Sequence, residues 1–195
     1  MAKPNARKLI LEKGLIAAAA VSALVKVGHA LNFGADPSYQ DSEQAGWSAL
    51  HFCCYFSKID KPAGRICKML LDRGANPDAQ AHDGLTPLLA ARAVGSVDVV
   101  RLLLGASADV NLSDNAGRTP LMAAAERGCC PIVELLIAAG ARVNLLDREG
   151  RDAIAIARDA AFSSSRGDES RAAAALLEAA LLQAEIGLSP KRFKA

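Results

Sequence analysis

Apolar residues recur at helical spacing through most of the chain. Ile132, Val133, Leu135 and Leu136 fall on one helix face, and Val99, Val100, Leu102 and Leu103 repeat the pattern upstream. Ile66, Cys67, Met69 and Leu70 mark another helix, and Leu176, Leu177, Leu181 and Leu182 a longer last one over about 170–186. Short segments such as Gly74-Ala75-Asn76-Pro77 and Ala108-Asp109-Val110-Asn111 separate the stripes and read as turns. The pattern predicts short helices joined by tight connections.

The stripes are periodic at 33 residues, the spacing from Gly84 to Gly117 and from Gly117 to Gly150. Gly84-Leu85-Thr86-Pro87-Leu88 overlays Gly117-Arg118-Thr119-Pro120-Leu121, and Val99 to Leu104 overlays Ile132 to Ile137. Local chemistry explains one unit. Thr119 caps a helix that opens at Pro120, whose missing N–H is no loss there, and Gly128 ends that helix in a left-handed conformation. Pro131 opens a second helix and Gly140 closes it. Such a hairpin is too small to bury its apolar face alone, so neighbours must stack on it.

These residues resemble the ankyrin-repeat family. Its Thr-Pro-Leu signature stands at Thr86–Leu88 and Thr119–Leu121, and Ser48-Ala49-Leu50-His51 is a variant that keeps the histidine. The resemblance implies an all-α solenoid of about five helix-turn-helix units in one domain, with degenerate end units. The units run approximately 11–45, 46–83, 84–116, 117–149 and 150–186, followed by a basic tail at 187–195. The second carries five extra residues, placed in the loop around 57–62. The first is worn, with its first helix from about Leu15 to Val21. In the fifth, Asp152 replaces threonine as a cap. Ser107 stands where the family prefers glycine, a left-handed serine costing about 1 kcal/mol.

Composition agrees with helices packed through small side chains, since 40 Ala and 25 Leu make up about a third of the 195 residues. The net charge of +2, from 23 basic and 21 acidic residues, gives no field that argues for nucleic acid or a membrane as partner. Any specificity must be local, and a monomer is expected.

The resemblance implies that hairpin tips and the exposed ends of first helices bind a protein partner along a concave groove. The positions it projects outward include Gln44, Ala45, Trp47, Tyr55 and Phe56, then His82, Asp83, Leu85, Ala93 and Val94. Asn115, Ala116, Arg118, Glu126 and Arg127 follow, then Arg148, Glu149, Arg151 and Asp159. The first half of this surface is aromatic and the second is mixed charge rich in arginine. Phe52 is expected inside. Trp47, Tyr55 and Phe56 are either interface anchors or core rings covered by the insertion or the first unit.

His51 reads as a hydrogen-bonded structural histidine. Cys53, Cys54 and Cys67 read as core thiols, while Cys129 and Cys130 sit at a loop-to-helix junction and are the candidates for a redox-responsive regulator. Cys-x-x-Cys, a phosphate loop, a Gly-x-Ser-x-Gly elbow and His-Glu-x-x-His are all absent from the sequence, so no metal, cofactor or catalytic residue is expected. Asp109, Asp114 and Asp147 are explained as turn residues. Unbridged thiols favour the cytosol. The competing reading takes residues 1–30 as a signal peptide and makes the protein secreted or periplasmic. Arg166-Gly167-Asp168 reads as a turn into the last helix rather than an adhesion motif.

Overall fold

The computed structural model describes residues 6–56, 62–91, 96–163 and 167–185. Helices dominate, arranged as antiparallel pairs in two compact units, Met1–Ala108 and Asp109–Ala195.

The first unit contains α1 (Ala6–Ala20), α2 (Leu24–Asn32), α3 (Ala49–Phe56), α4 (Pro62–Asp72), α5 (Pro87–Ala91) and α6 (Val97–Gly105). Helices α1, α3 and α5 pack in sequence as one layer, and α2, α4 and α6 form the other. Leu15, Ile16, Leu50, Ile66, Leu70, Leu89 and Leu103 fill the space between, all essentially sealed from solvent. Alanines at 18, 19, 49, 90 and 91 let the backbones approach. The second unit pairs α7 (Pro120–Glu126) with α8 (Cys130–Ala138) and α9 (Ala153–Ser163) with α10 (Gly167–Glu185) around Leu121, Met122, Leu136 and Leu177.

The caps stand where the period places them. Thr86 Oγ1 accepts from Leu89 N–H at 3.2 Å, Thr119 Oγ1 from Met122 N–H at 3.3 Å, and Asp152 Oδ1 from Ala155 N–H at 2.8 Å. Ser107 is left-handed at φ 64°, as expected.

The first hairpin departs from expectation. Its first helix does not run from Leu15 to Val21 but begins at Ala6, because Arg7 to Lys13 are good helix formers and bury Glu12 on the inner side. A left-handed Ser22 at φ 54° ends it, and the apolar run continues into α2.

The second tip is also larger than the others. Gly34 precedes Gly46 by 12 residues, whereas Gly74 precedes Gly84 by 10. The two extra residues lengthen the tip so that it forms a 3₁₀ turn at Ser42–Gln44 with left-handed Ala45, closed by a short antiparallel pairing of β1 (Gln40–Asp41) with β2 (Trp47–Ser48). Gln40 Nε2 donates to Gly46 O and Gln80 O, both at 2.8 Å, fastening this tip to the next. The five extra residues of the second repeat, placed in the loop around 57–62 from the sequence, lie almost wholly outside the described residues.

Candidate protein-binding surface

Helix α3 carries Phe52, Tyr55 and Phe56 at spacings that bring their rings together, and β2 adds Trp47 just before it. Trp47 meets Phe52 edge-on at 4.9 Å and Tyr55 at 5.2 Å, Tyr55 meets Phe56 at 5.0 Å, and Phe56 stacks on Phe52 at 6.1 Å. The four rings form one closed cluster. Tyr55 is 42% exposed and Phe56 48%, while Trp47 and Phe52 are half-buried and brace them. Phe52 therefore does not belong to the core as expected. It lies four residues before Phe56 on the same helix face, and α3 buries Leu50, His51, Cys53 and Cys54 instead. The first hairpin leaves both outer rings open.

The next tip serves mainly itself. Asp83 Oδ1 accepts from Leu85 N–H at 3.0 Å, and His82 N–H donates to Ala45 O at 2.9 Å. His82 and Asp83 are exposed and Leu85 is half-buried. Gly46, left-handed at φ 76°, has no room for a side chain, since a Cβ there would stand 2.6 Å from His82 Cδ2. Ala93 and Val94 lie outside the described residues.

Beneath Trp47 sits His51, fully buried. Its Nδ1 receives Ser48 N–H at 3.1 Å and lies 2.8 Å from Ser48 Oγ, and its Nε2 is 2.9 Å from Leu85 O. Burial is the main cause that lowers its pKa below the usual 6.5.

In the second unit two of the four arginines projected onto the surface, Arg118 and Arg151, are engaged in ion pairs. Asp114 Oδ1 accepts from Ala116 N–H and Arg118 N–H, both at 2.9 Å, and Asp147 Oδ1 does the same for Glu149 and Arg151. The other oxygen of Asp147 takes a fork from Arg151, Nε at 3.1 Å and Nη2 at 2.9 Å. The backbone N–H of Arg151, ahead of its guanidinium, holds the Asp147 carboxyl below the usual carboxylate range. Arg118 pairs with Glu126, and Arg151 also reaches Glu149 at 3.1 Å. Arg148 is exposed and its N–H donates to Ala116 O at 3.0 Å. Asn115 is exposed and Arg127 half-buried. The spacing of Asp147 and Arg151 was the sequence signal for this fork.

No disulfide joins any of the five cysteines. Cys53, Cys54 and Cys67 are buried, with Cys53 Sγ 3.0 Å from Ala63 O, and Cys129 and Cys130 are half-buried. Burial pushes the Cys53 thiol well up, and a hydrogen bond with Cys67, together with burial, does the same for Cys54. Among the described residues no cluster of His, Cys, Asp or Glu could hold a metal, and no helix is long and apolar enough to cross a membrane. Arg166 and the basic tail lie outside the described residues.

Residues 60–147 match the family model for ankyrin repeats, in three copies, and no curated protein matches the chain. Residues 60–147 are thus ankyrin repeats, and the paired helices, capped first helices and glycine-closed tips in the same register fit an all-α ankyrin solenoid. Ankyrin repeats are generally protein–protein interaction modules, and the family is typically non-enzymatic.

Proposed function

We propose that this protein is a non-enzymatic scaffold that captures a segment of a partner protein on the aromatic face of the first unit. The observation that carries the reading is the exposure of Tyr55 and Phe56 on a base of packed rings. Exposed aromatics held rigid by their neighbours lose little entropy on binding and commonly anchor interfaces. The expanded second tip beside them, with exposed Glu43, Gln44 and Ala45, supplies polar contacts at the rim. Five unbridged thiols support residence in a reducing compartment such as the cytosol, which the intact mass of the mature N-terminus tests.

The binding test uses Tyr55→Ser with Phe56→Ser. Both rings are half exposed, so the double variant should keep its helical melting curve while losing the partner that wild type retains. Trp47→Ala is a poorer probe, because Trp47 supports three other rings. Equal retention by the variant and wild type refutes the reading.

A further inference from the structure

The first hairpin has an open apolar side that the rest of its unit does not cover. Helix α1 packs on α2 and α3 and buries Glu12, Leu15, Ile16, Ala18 and Ala19. Ile10, Gly14, Ala17 and Val21 recur at spacings of three and four, so they line the opposite side, and all four are exposed. Val21 stays on that line because its N–H still donates to Ala17 O at 3.3 Å. A Cβ on Gly14 would meet nothing within 4 Å. Val25, at the start of α2, carries the stripe around the corner. Ile10 and Val21 are each 71% exposed and Val25 70%, although water is the costly place for such side chains.

The charges around this stripe are of one sign. Lys58, Arg92, Arg127 and Arg166 stand between the helices of the later pairs, whereas Val21-Ser22-Ala23 carries no charge, nor does any residue from Gly14 to Val25. Cations border that run. Arg7 and Lys8 are exposed ahead of it, Lys13 is half-buried and pairs with Glu43, and exposed Lys26 follows directly. The single acid of α1 and α2 is Glu12, buried on the inner side with Lys8 at 3.8 Å. Residues 1–33 hold five of the 23 basic residues and one of the 21 acidic ones, so this end of the sequence is +4 and the remainder, with 18 basic and 20 acidic, is −2. The small total charge conceals a local field.

We propose that this face docks on an anionic lipid surface, with Val21 and Val25 entering the acyl boundary and Arg7 and Lys26 held at the headgroups. Hydrocarbon takes the aliphatic side chains and anionic headgroups take the bordering cations. The exposed positions from Ile10 to Val25 are aliphatic or glycine, and none offers the hydroxyl, amide or carboxylate with which the rim of a protein interface is usually hydrogen-bonded. A second copy docked through the same face would bring like charges together. No described helix can cross a membrane, so the attachment is interfacial. It does not rest on the aromatic face of α3.

Co-sedimentation of the purified protein with vesicles tests this, using phosphatidylcholine alone and phosphatidylcholine with about a third phosphatidylserine. Wild type should sediment with the anionic vesicles, far less with the neutral ones, and release as salt is raised. Val21→Ser with Val25→Ser should weaken binding about tenfold or more and keep the melting curve, since both side chains are exposed. Lys26→Gln should weaken it about fivefold, the factor for one cation at a charged surface. Arg65→Gln, at an exposed position of α4 in the same unit, should leave it unchanged. Should the valine variant fail to fold, Lys26→Gln against Arg65→Gln decides. Wild type that stays in the supernatant with anionic vesicles overturns the proposal, as does an equal loss from Arg65→Gln. If vesicles are ignored while wild type self-associates through the valines, or while a photoreactive residue replacing Val25 joins a protein in extract, the face belongs to a second copy or a protein partner and the lipid assignment falls.

Discussion

Gly128→Ala separates two costs that a glycine can hide. Gly128 closes α7 in a left-handed conformation at φ 66°, with its N–H on Ala125 O at 3.0 Å and Cys129 N–H on Ala124 O at 3.1 Å. A Cβ there would stand 2.6 Å from Glu169 C and 2.7 Å from Ser170 N, both backbone atoms of α10 that cannot rotate away. Gly140 closes α8 in the same way at φ 93°, and a Cβ on it meets nothing within 4 Å. Alanine at Gly140 therefore carries the conformational cost alone, about 1–2 kcal/mol. At Gly128 the same cost is joined by overpacking worth about 1–3 kcal/mol, giving about 2–5 kcal/mol in all. That is a large share of the ~5–15 kcal/mol that holds a typical domain together. Urea unfolding followed by far-ultraviolet circular dichroism should show a clearly lower midpoint for Gly128→Ala than for Gly140→Ala. Equal midpoints would mean that α10 does not press on the end of α7, and the packing of the second unit would have to be redrawn.

Other consequences can be read in the same unit and in the thiols. Ser170 Oγ is buried with no hydrogen-bond partner, so Ser170→Ala should raise stability by up to about 1 kcal/mol, and a loss of that size in the same urea assay would reveal an unrecognised partner. Asp147 has its pKa lowered from 3.8, so its contribution to stability is complete above that value and disappears as pH falls through the lowered one. Asp147→Asn should flatten that acid limb in a pH-jump melting series, and an unchanged limb counts against the tip fork. Maleimide labelling of native protein at neutral pH should modify Cys129 and Cys130 first and leave Cys53 and Cys54 untouched, because burial of Cys53, and the hydrogen bond with Cys67 together with burial for Cys54, keep those thiols protonated. Rapid loss of Cys53 or Cys54 would show that α3 opens readily.

What could be read in the sequence was local chemistry repeated at a fixed period. Thr119, Pro120 and Gly128 each satisfy or forgo a backbone group at a helix end, and such needs are independent of distant contacts. The turn roles of Asp114 and Asp147 were legible for the same reason, since their oxygens serve amides two and four residues on. Ser22 and Ala45 were not legible, because a left-handed residue other than glycine is disfavoured locally and is held by its surroundings. Ala45 is fixed by His82 N–H from the next repeat, a contact no local pattern contains. The two extra residues of the second tip lie between Gly34 and Gly46, outside the 33-residue spacing that runs from Gly84 to Gly150, so that spacing does not reveal them. Phe52 was misplaced for another reason. Helical spacing puts it on the same stripe as Phe56, and in this repeat that stripe faces the ring cluster rather than the family's inward side. The aromatic side chains near Trp47 were visible as a cluster in sequence, but only the ring geometry distinguishes two open rings from two bracing ones.

The most direct measurement of the binding face uses a photoreactive phenylalanine analogue at each of the three most exposed phenylalanines among the described residues, Phe33, Phe56 and Phe162. Irradiation in native extract should join a discrete partner to position 56 and give no such product from positions 33 or 162. A partner joined equally from all three sites, or from 33 or 162 alone, would contradict the assignment of the α3 face.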